Sequence, residues 1–298
     1  MRQIVFAAVL VFSLSALSQE CTTSVVVNVF DDRLRVDVET LKAADFQARI
    51  DKNELKIVNT EQDYNSRLLV LLEADGTKDS KIRDVVDTVT TMAKEAPEGQ
   101  PVAFGVYTDR AFFTEDFITK PDKRVRQIDE VVEQEGSLGK RVAMFDALHQ
   151  ALQMFGEHQP GDTILLVADA YDDKSNHSLA GIEKEFLDSG TRLMTMLRRP
   201  LSLTGRETLT STSHEREKSL FLDFAERTGG AHSEFDARFL GFAWRGYMLD
   251  LKVPEDVQRP QKWSLKLRST LRSAFKHAKI FYPELLLPCR AAASSSPH

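Results

Sequence analysis

Charged side chains gather at three places in this chain where chemistry could be done. Glu73-Ala74-Asp75-Gly76-Thr77 follows an apolar run and brings two carboxylates and a hydroxyl. Asp169 closes a second apolar run and is followed by Ala170, Tyr171, Asp172 and Asp173. Between the two lies Lys140-Arg141-Val142-Ala143, which opens a helical pattern. Residues of these types do charge chemistry. Were Glu73, Asp75 and Asp169 brought together without a cation, repulsion would raise at least one carboxyl pKa. Lys140 or Arg141 could supply the missing positive charge. The plain alternative is three carboxylates solvated on separate loops.

Other constellations are thin. The histidines, His149, His158, His177, His214, His232, His277 and His298, are scattered, and no pair stands at H-x-x-x-H. A zinc site is therefore not expected. No G-x-S-x-G marks a nucleophile elbow. Cys21 and Cys289 are too terminal for nucleophiles, but an oxidising compartment would permit a disulfide between them. By chain entropy that bond would contribute on the order of 5 kcal/mol; two unpaired thiols are the alternative. Gly229-Gly230 reads as a helix stop, since a phosphate loop would need more. Phe112, Phe113 and Phe117 read as core or loop packing. The stretch FAWRGY (242–247) reads as sheet packing rather than a ligand cage.

The elements that must position the charged clusters follow from hydrophobic pattern. Continuous apolar runs at 67–73, 101–108, 162–169 and 191–197 suit strands covered on both faces. Helical periodicity appears between them. It falls on Ile82, Val85, Val86, Val89, Met92 and Ala93, then on Val125, Ile128, Val131 and Val132. It returns on Met144, Leu148, Ala151, Leu152 and Phe155, on Leu179, Ile182 and Phe186 after a Ser178 cap, and over 219–230. This alternation implies a doubly wound, mainly parallel α/β sheet with helices on both faces. In such sheets ligands bind beyond the carboxyl ends of the strands, where the charged clusters sit. Residues 199–216 read as a long surface loop. Segments 24–29, 33–39, 46–50 and 54–59 read as β structure, and the alternation around Tyr247–Val253 and Trp263–Leu267 reads as a β-hairpin over 241–270. The two flanks could share one sheet. The tail 291–298 is expected to be disordered.

With the motifs in view, the chain resembles a von Willebrand factor type A domain. LLVLLEADGT is similar to that family's first strand and D-x-S-x-S loop. AMFDALHQAL is similar to its T-x-L-x-D-A-L helix, ILLVADAYDD to its third loop, and LDFAERTGGAHSEF to its late T-G-G segment. The flanks VETLKAADFQARIDKNELKI and GYMLDLKV…WSLKLR resemble a subfamily common in acidobacteria. The likeness covers about residues 25 to 270, and its weight lies in the order and spacing of the motifs together.

The resemblance implies a metal-ion-dependent adhesion site, Rossmann-like in setting, where a divalent cation takes oxygen ligands and leaves one position for a partner's carboxylate. The matching positions here are Glu73, Asp75, Thr77 and Asp169. They depart from the pattern. Glu73 stands for the first Asp, Asp75 and Thr77 for the two serines, and Val142 for the second-loop threonine. Lys140 and Arg141 replace glycines. Mg²⁺ or Ca²⁺ could still be held, but the expectation is a degenerate site in which Lys140 or Arg141 substitutes for the metal.

The same residues resemble the first motif of haloacid dehalogenase-type phosphatases, D-x-D-G-T, with Thr108 and the 167–173 segment as later motifs. There the first Asp attacks phosphorus, the second is the general acid, and Mg²⁺ bridges to phosphate. Glu73 is one methylene too long for that attack, and the D-A-L and T-G-G segments go unexplained.

Targeting and charge complete the expectation. Arg2, the apolar run Ile4–Leu17 and Ala16-Leu17-Ser18 form a signal-peptide pattern over 1–18, too short for a membrane span. Gln19 and Glu20 are wrong for a lipoprotein anchor at Cys21. A net charge of −6 argues against nucleic acid. The expected layout is a β segment over 22–62, a von Willebrand factor type A-like domain over 63–240, and the hairpin. The expected function is non-catalytic protein binding in a secreted or periplasmic setting, with no cofactor required. A structural envelope component and the phosphatase are the alternatives.

Overall fold

A computed structural model describes residues 20–31, 36–37, 41–62, 66–74, 81–134, 141–169, 171–197, 211–234, 243, 246–254, 257–268, 271 and 275–289. Along the chain come β1 (Glu20–Asp31), β2 (Val36–Asp37), a 3₁₀ turn (Ala43–Asp45), β3 (Phe46–Ile50), β4 (Asn53–Gln62) and β5 (Leu68–Glu73). Then follow α1 (Lys81–Glu95), β6 (Val102–Tyr107), β7 (Ala111–Phe113), α2 (Pro121–Val132), α3 (Met144–Gln153), β8 (Thr163–Ala168), α4 (Leu179–Ser189) and β9 (Arg192–Leu197). The last elements are α5 (Ser211–Arg227), β10 (His232–Glu234), β11 (Tyr247–Pro254), β12 (Gln261–Lys262), β13 (Ser264–Leu267), β14 (Ala278–Phe281) and β15 (Leu285–Leu286).

The four continuous apolar runs form the heart of a six-stranded sheet of order β10-β9-β8-β5-β6-β7. All neighbours are parallel except β7, which turns back on β6. Strand residues alternate between two cores, as a pleat with period two requires. Leu69, Leu71, Ile164, Leu166 and Leu193 pack with residues of α3, α4 and α5. Leu68, Val70, Leu72, Leu165 and Met194 pack with Val89 and Ala93 of α1 and Ile128 of α2. Ser178 caps α4 by accepting from the Gly181 N–H at 3.2 Å.

The flanking β structure is larger than the sequence suggests. It forms a seven-stranded sheet of order β13-β3-β4-β11-β1-β14, with β2 also on β1. The N- and C-terminal flanks thus meet in one sheet. The hairpin over 241–270 is corrected: β11 lies between β4 and β1, while β13 pairs with β3, so the two strands are not partners. Alternation identified both strands, but it carries no information on pairing order. Two more strands, β14 and β15, lie beyond residue 270.

Two further expectations change. The stretch 199–216 is not all loop, because α5 begins at Ser211; 198–210 are outside the described residues. The buried face of α2 carries Arg124, Ile128 and Val131, while Val125 is only partly covered. The 33–39 strand is described only at Val36–Asp37. The signal-peptide pattern and the 291–298 tail lie outside the described residues, and no described helix is long and apolar enough to cross a membrane.

Candidate functional site

The carboxyl ends of β5, β6 and β8 are neighbours, so the sheet brings Glu73, Thr108 and Asp169 to one edge. Asp75, Thr77 and Lys140 lie outside the described residues. Glu73 is buried, at 7% exposure, and its Oε2 accepts the Asp169 backbone N–H at 3.0 Å. That bond ties the end of β5 to the end of β8. Asp169 itself is exposed. Thr108 is buried; its carbonyl accepts the Ala143 N–H at 2.7 Å and so pins the start of α3 to the end of β6.

Arg141 does not turn toward Glu73. Its guanidinium contacts the Asp173 carbonyl and lies 3.6 Å from the Asp173 carboxylate. The Val142 N–H donates to Asp173 Oδ1 at 2.7 Å, and Asp173 N–H returns a bond to the Val142 carbonyl at 3.0 Å. The two loops are thereby laced together. The lacing continues into α3, whose N-cap, Ala143, has no side-chain acceptor of its own. The third loop provides them instead. Ser175 Oγ accepts from the Asp146 N–H at 3.0 Å, and Asp172 Oδ1 takes the Phe145 N–H at 3.4 Å. A helix start needs such acceptors for its unpaired N–H groups.

Among the described residues, those at the strand ends do not fit the cation that the family resemblance implies. Glu73 is covered and bonded to a backbone N–H, and Val142 offers hydrocarbon where an oxygen ligand would be needed. Arg141 brings a fixed positive charge to the same loops.

Sequence reasoning missed a second polar constellation, one turn further along α3. Asp146 accepts the backbone N–H groups of Asn176 and His177, each at 3.0 Å, and His177 Nδ1 at 2.6 Å. Burial opposes ionisation of Asp146, but the hydrogen bonds from His177 and Asn176 outweigh it and hold the carboxyl below its ordinary range. The His177 ring stacks on His149 with centroids 4.2 Å apart. His149 Nδ1 lies 2.8 Å from Glu185 Oε2 on α4, and its Nε2 lies 2.8 Å from Gln153 Nε2. Asp146, His149 and Gln153 stand at i, i+3 and i+7, which is one helix face. That stripe was visible in the sequence; its partners on α4 and the preceding loop were not.

No protein-family model and no curated protein matches this chain. Three solved structures illustrate what it superposes on. The conserved hypothetical protein BatB from Bacteroides thetaiotaomicron is 12% identical, covers 60% of this chain and 96% of its own, and has a TM-score of 0.45. The von Willebrand factor type A protein from Catenulispora acidiphila is 11% identical over 82% of this chain and 73% of its own, with a TM-score of 0.47. Proximal thread matrix protein 1 from the mussel byssus, with a zinc-occupied MIDAS motif, is 13% identical over 63% of this chain and 49% of its own, with a TM-score of 0.48. Superpositions this loose do not assign a family.

Proposed function

We propose that this chain is an exported, non-catalytic protein-binding module of the von Willebrand factor type A kind, whose strand-end surface works without a metal ion. The observation that carries the metal-independent part is the Glu73 carboxylate, which accepts the Asp169 N–H at 3.0 Å inside the sheet edge. A carboxylate used in this way braces two strands and is not presented to a cation.

The fold reading rests on strand order. Counted by appearance within the sheet, β5 to β10 run 3-2-1-4-5-6, the order of a doubly wound sheet with its switch point at the end of β5. Ligands of such sheets bind at that point. The surface offered there is polar and mixed in charge: Arg141, Asp169, Asp173 and Lys174, with Tyr171 exposed among them. Such a surface suits a protein partner better than a small molecule, which would need an enclosed apolar cleft. Export agrees with the bond between Cys21 and Cys289, because disulfides persist in oxidising compartments.

The phosphatase alternative would need Glu73 as nucleophile, and its Oε2 is occupied by a backbone N–H. Phosphate-ester hydrolysis that requires Mg²⁺ and dies with Asp75→Asn would overturn the non-catalytic reading.

The deciding experiment is calorimetric titration of Mg²⁺, Mn²⁺ and Ca²⁺ into metal-stripped protein. The expected result is no saturable binding that depends on Asp169. Binding abolished by Asp169→Ala would mean a working adhesion site and acidic partners. Partner capture from an envelope fraction in the presence of chelator should then be lost with Arg141→Glu; capture that needs added Mg²⁺ would count against the proposal.

A further inference from the structure

We infer that His149, His177 and Glu185 form a divalent transition-metal site, suited to zinc, that joins α3 to α4 and to the loop before it. The site is separate from the strand-end surface and does not depend on it.

The donor set comes first. One ligand atom from each of His149, His177 and Glu185 lies within 4.8 Å of the others. Two imidazoles and a carboxylate are a common protein set for zinc, with the fourth position left to water or another ligand. Zinc holds nitrogen and oxygen at about 2.0 to 2.2 Å, so ligand atoms around it stand roughly 3.3 Å apart. His149 Nδ1 and Glu185 Oε2 are already closer than that, at 2.8 Å. Closing the set from within 4.8 Å to that spacing asks the His177 ring to turn out of its stack on His149, and all three side chains are only partly covered, which leaves room for the movement.

The second argument is the support behind the ligands. The Nδ1 of His177 lies 2.6 Å from Asp146, so Nδ1 carries the proton and Nε2 keeps its lone pair. A carboxylate behind an imidazole fixes the tautomer and ring direction in just this way at metal-bound histidines. Asp146 is itself held by two backbone N–H groups and the Asn176 side chain. Gln153 faces the other nitrogen of His149 and can serve it by turning its amide.

The third argument is access. His149, Gln153 and Glu185 line a surface groove of about 540 Å³ between α3 and α4. An ion can reach His149 and Glu185 from it. The ion would fasten the 172–178 loop, whose other end is laced to Arg141 and Val142.

The test uses the mature, untagged protein, stripped with chelator and titrated with Zn²⁺ by calorimetry. Co²⁺ serves as the spectroscopic probe of coordination. One equivalent should bind. His177→Ala, His149→Gln and Glu185→Gln should each weaken binding by about 100-fold or more, because each removes a ligand and not merely its support. Glu73→Gln and Asp169→Asn should leave Zn²⁺ affinity unchanged, which separates this site from the strand ends. The inference fails if wild-type protein takes up no Zn²⁺ saturably, if Asp169→Asn abolishes uptake, or if the ligand variants bind as well as wild type. Should His177→Ala not fold, His149→Gln and Glu185→Gln, on different helices, still decide the matter.

Discussion

At the scale of single residues, the most demanding side chain is Arg124. It is fully buried, at 0% exposure. Its guanidinium donates to the carbonyls of Ala93, Ala96, Pro97, Gln100, Ile118 and Thr119 at 2.7–3.3 Å. The Ala93 carbonyl lies in the last turn of α1 and the Ala96 carbonyl just after it, where a cation meets the negative end of the helix dipole. Burial alone pushes the Arg124 pKa down, yet a guanidinium keeps its charge under such conditions. Arg124→Met would fill much of the volume and leave the carbonyls unmet. The expected cost is about 3 to 5 kcal/mol in denaturant unfolding, the range for breaking a buried charged network. Arg124→Lys should recover little, since an ammonium cannot reach carbonyls spread across a planar fork. A loss under 1 kcal/mol for Met would show that water replaces the guanidinium.

At the scale of elements, the tightest junction is the corner from α5 into β10. Thr228 Oγ1 donates to the Ala225 carbonyl at 2.7 Å and accepts the Leu193 N–H at 2.9 Å, which fixes the helix end to β9. Gly229 has φ of 81°, and a Cβ at Gly230 would sit 1.8 Å from the Leu193 carbonyl oxygen. Gly230→Ala should therefore cost about 3 kcal/mol or more in thermal or denaturant unfolding, at the upper end of overpacking effects. Gly99→Ala is the contrast. Its φ is 87° but nothing lies near its Cβ, so about 1 to 2 kcal/mol of left-handed strain is all that is expected. The chain facing this corner carries a pH-dependent clamp. Glu284 bonds to Lys262 Nζ at 2.6 Å and to Arg227. The Lys262 bond, with help from Arg227 and against burial, holds the Glu284 carboxyl below its ordinary 4.5. A depressed carboxyl stabilises the fold above its unfolded value and stops doing so as the pH falls through the folded one. Glu284→Gln should cost about 1 kcal/mol at pH 7 and nothing once the pH is well below 4.5. An equal loss at both pH values would exclude a charge effect. Sequence pattern reached many of these elements but not their junctions. Runs such as 67–73 and 162–169 declare buried strands because a strand covered on both faces hides five apolar residues in a row. The T-G-G segment declared a helix stop, but not that Pro283 and Leu193 would press on its glycines. Glu73 and Asp169 were legible as strand-end residues, whereas the brace between them depends on strand order. Arg124 was invisible as a buried residue, because its six partners are backbone carbonyls from two separate stretches, 93–100 and 118–119.

At the scale of the whole molecule, the two sheets are held together largely through the chain's far ends. β1 pairs with β11 and β14, so residues from opposite ends of the sequence share one sheet. Arg192 on β9 reaches Asn28 on β1, and both are buried. The segment after β14 bridges Thr228 through Pro283, and the Pro283 carbonyl accepts from Trp263 Nε1 at 2.7 Å. The bond between Cys21 and Cys289 closes this arrangement across 268 residues. Its main effect falls on the unfolded chain, which loses the freedom to separate its ends. For a loop of that length the entropy removed corresponds to about 5 kcal/mol. The double variant Cys21→Ser, Cys289→Ser should therefore melt about 10 °C or more below the oxidised wild type. Chemical reduction of the wild type should give a similar drop, because both treatments free the same chain ends. The seven-stranded sheet would feel the change first, since β1 and the segment after β14 carry the two cysteines. Hydrogen exchange should show β1 and β11 opening more readily while β5 and β8, buried on both faces, keep their protection until global unfolding. Equal acceleration in both sheets would mean that the molecule unfolds as one cooperative unit. A melting temperature unchanged by reduction would mean that pairing in the flank sheet already restrains the chain ends without the covalent bond.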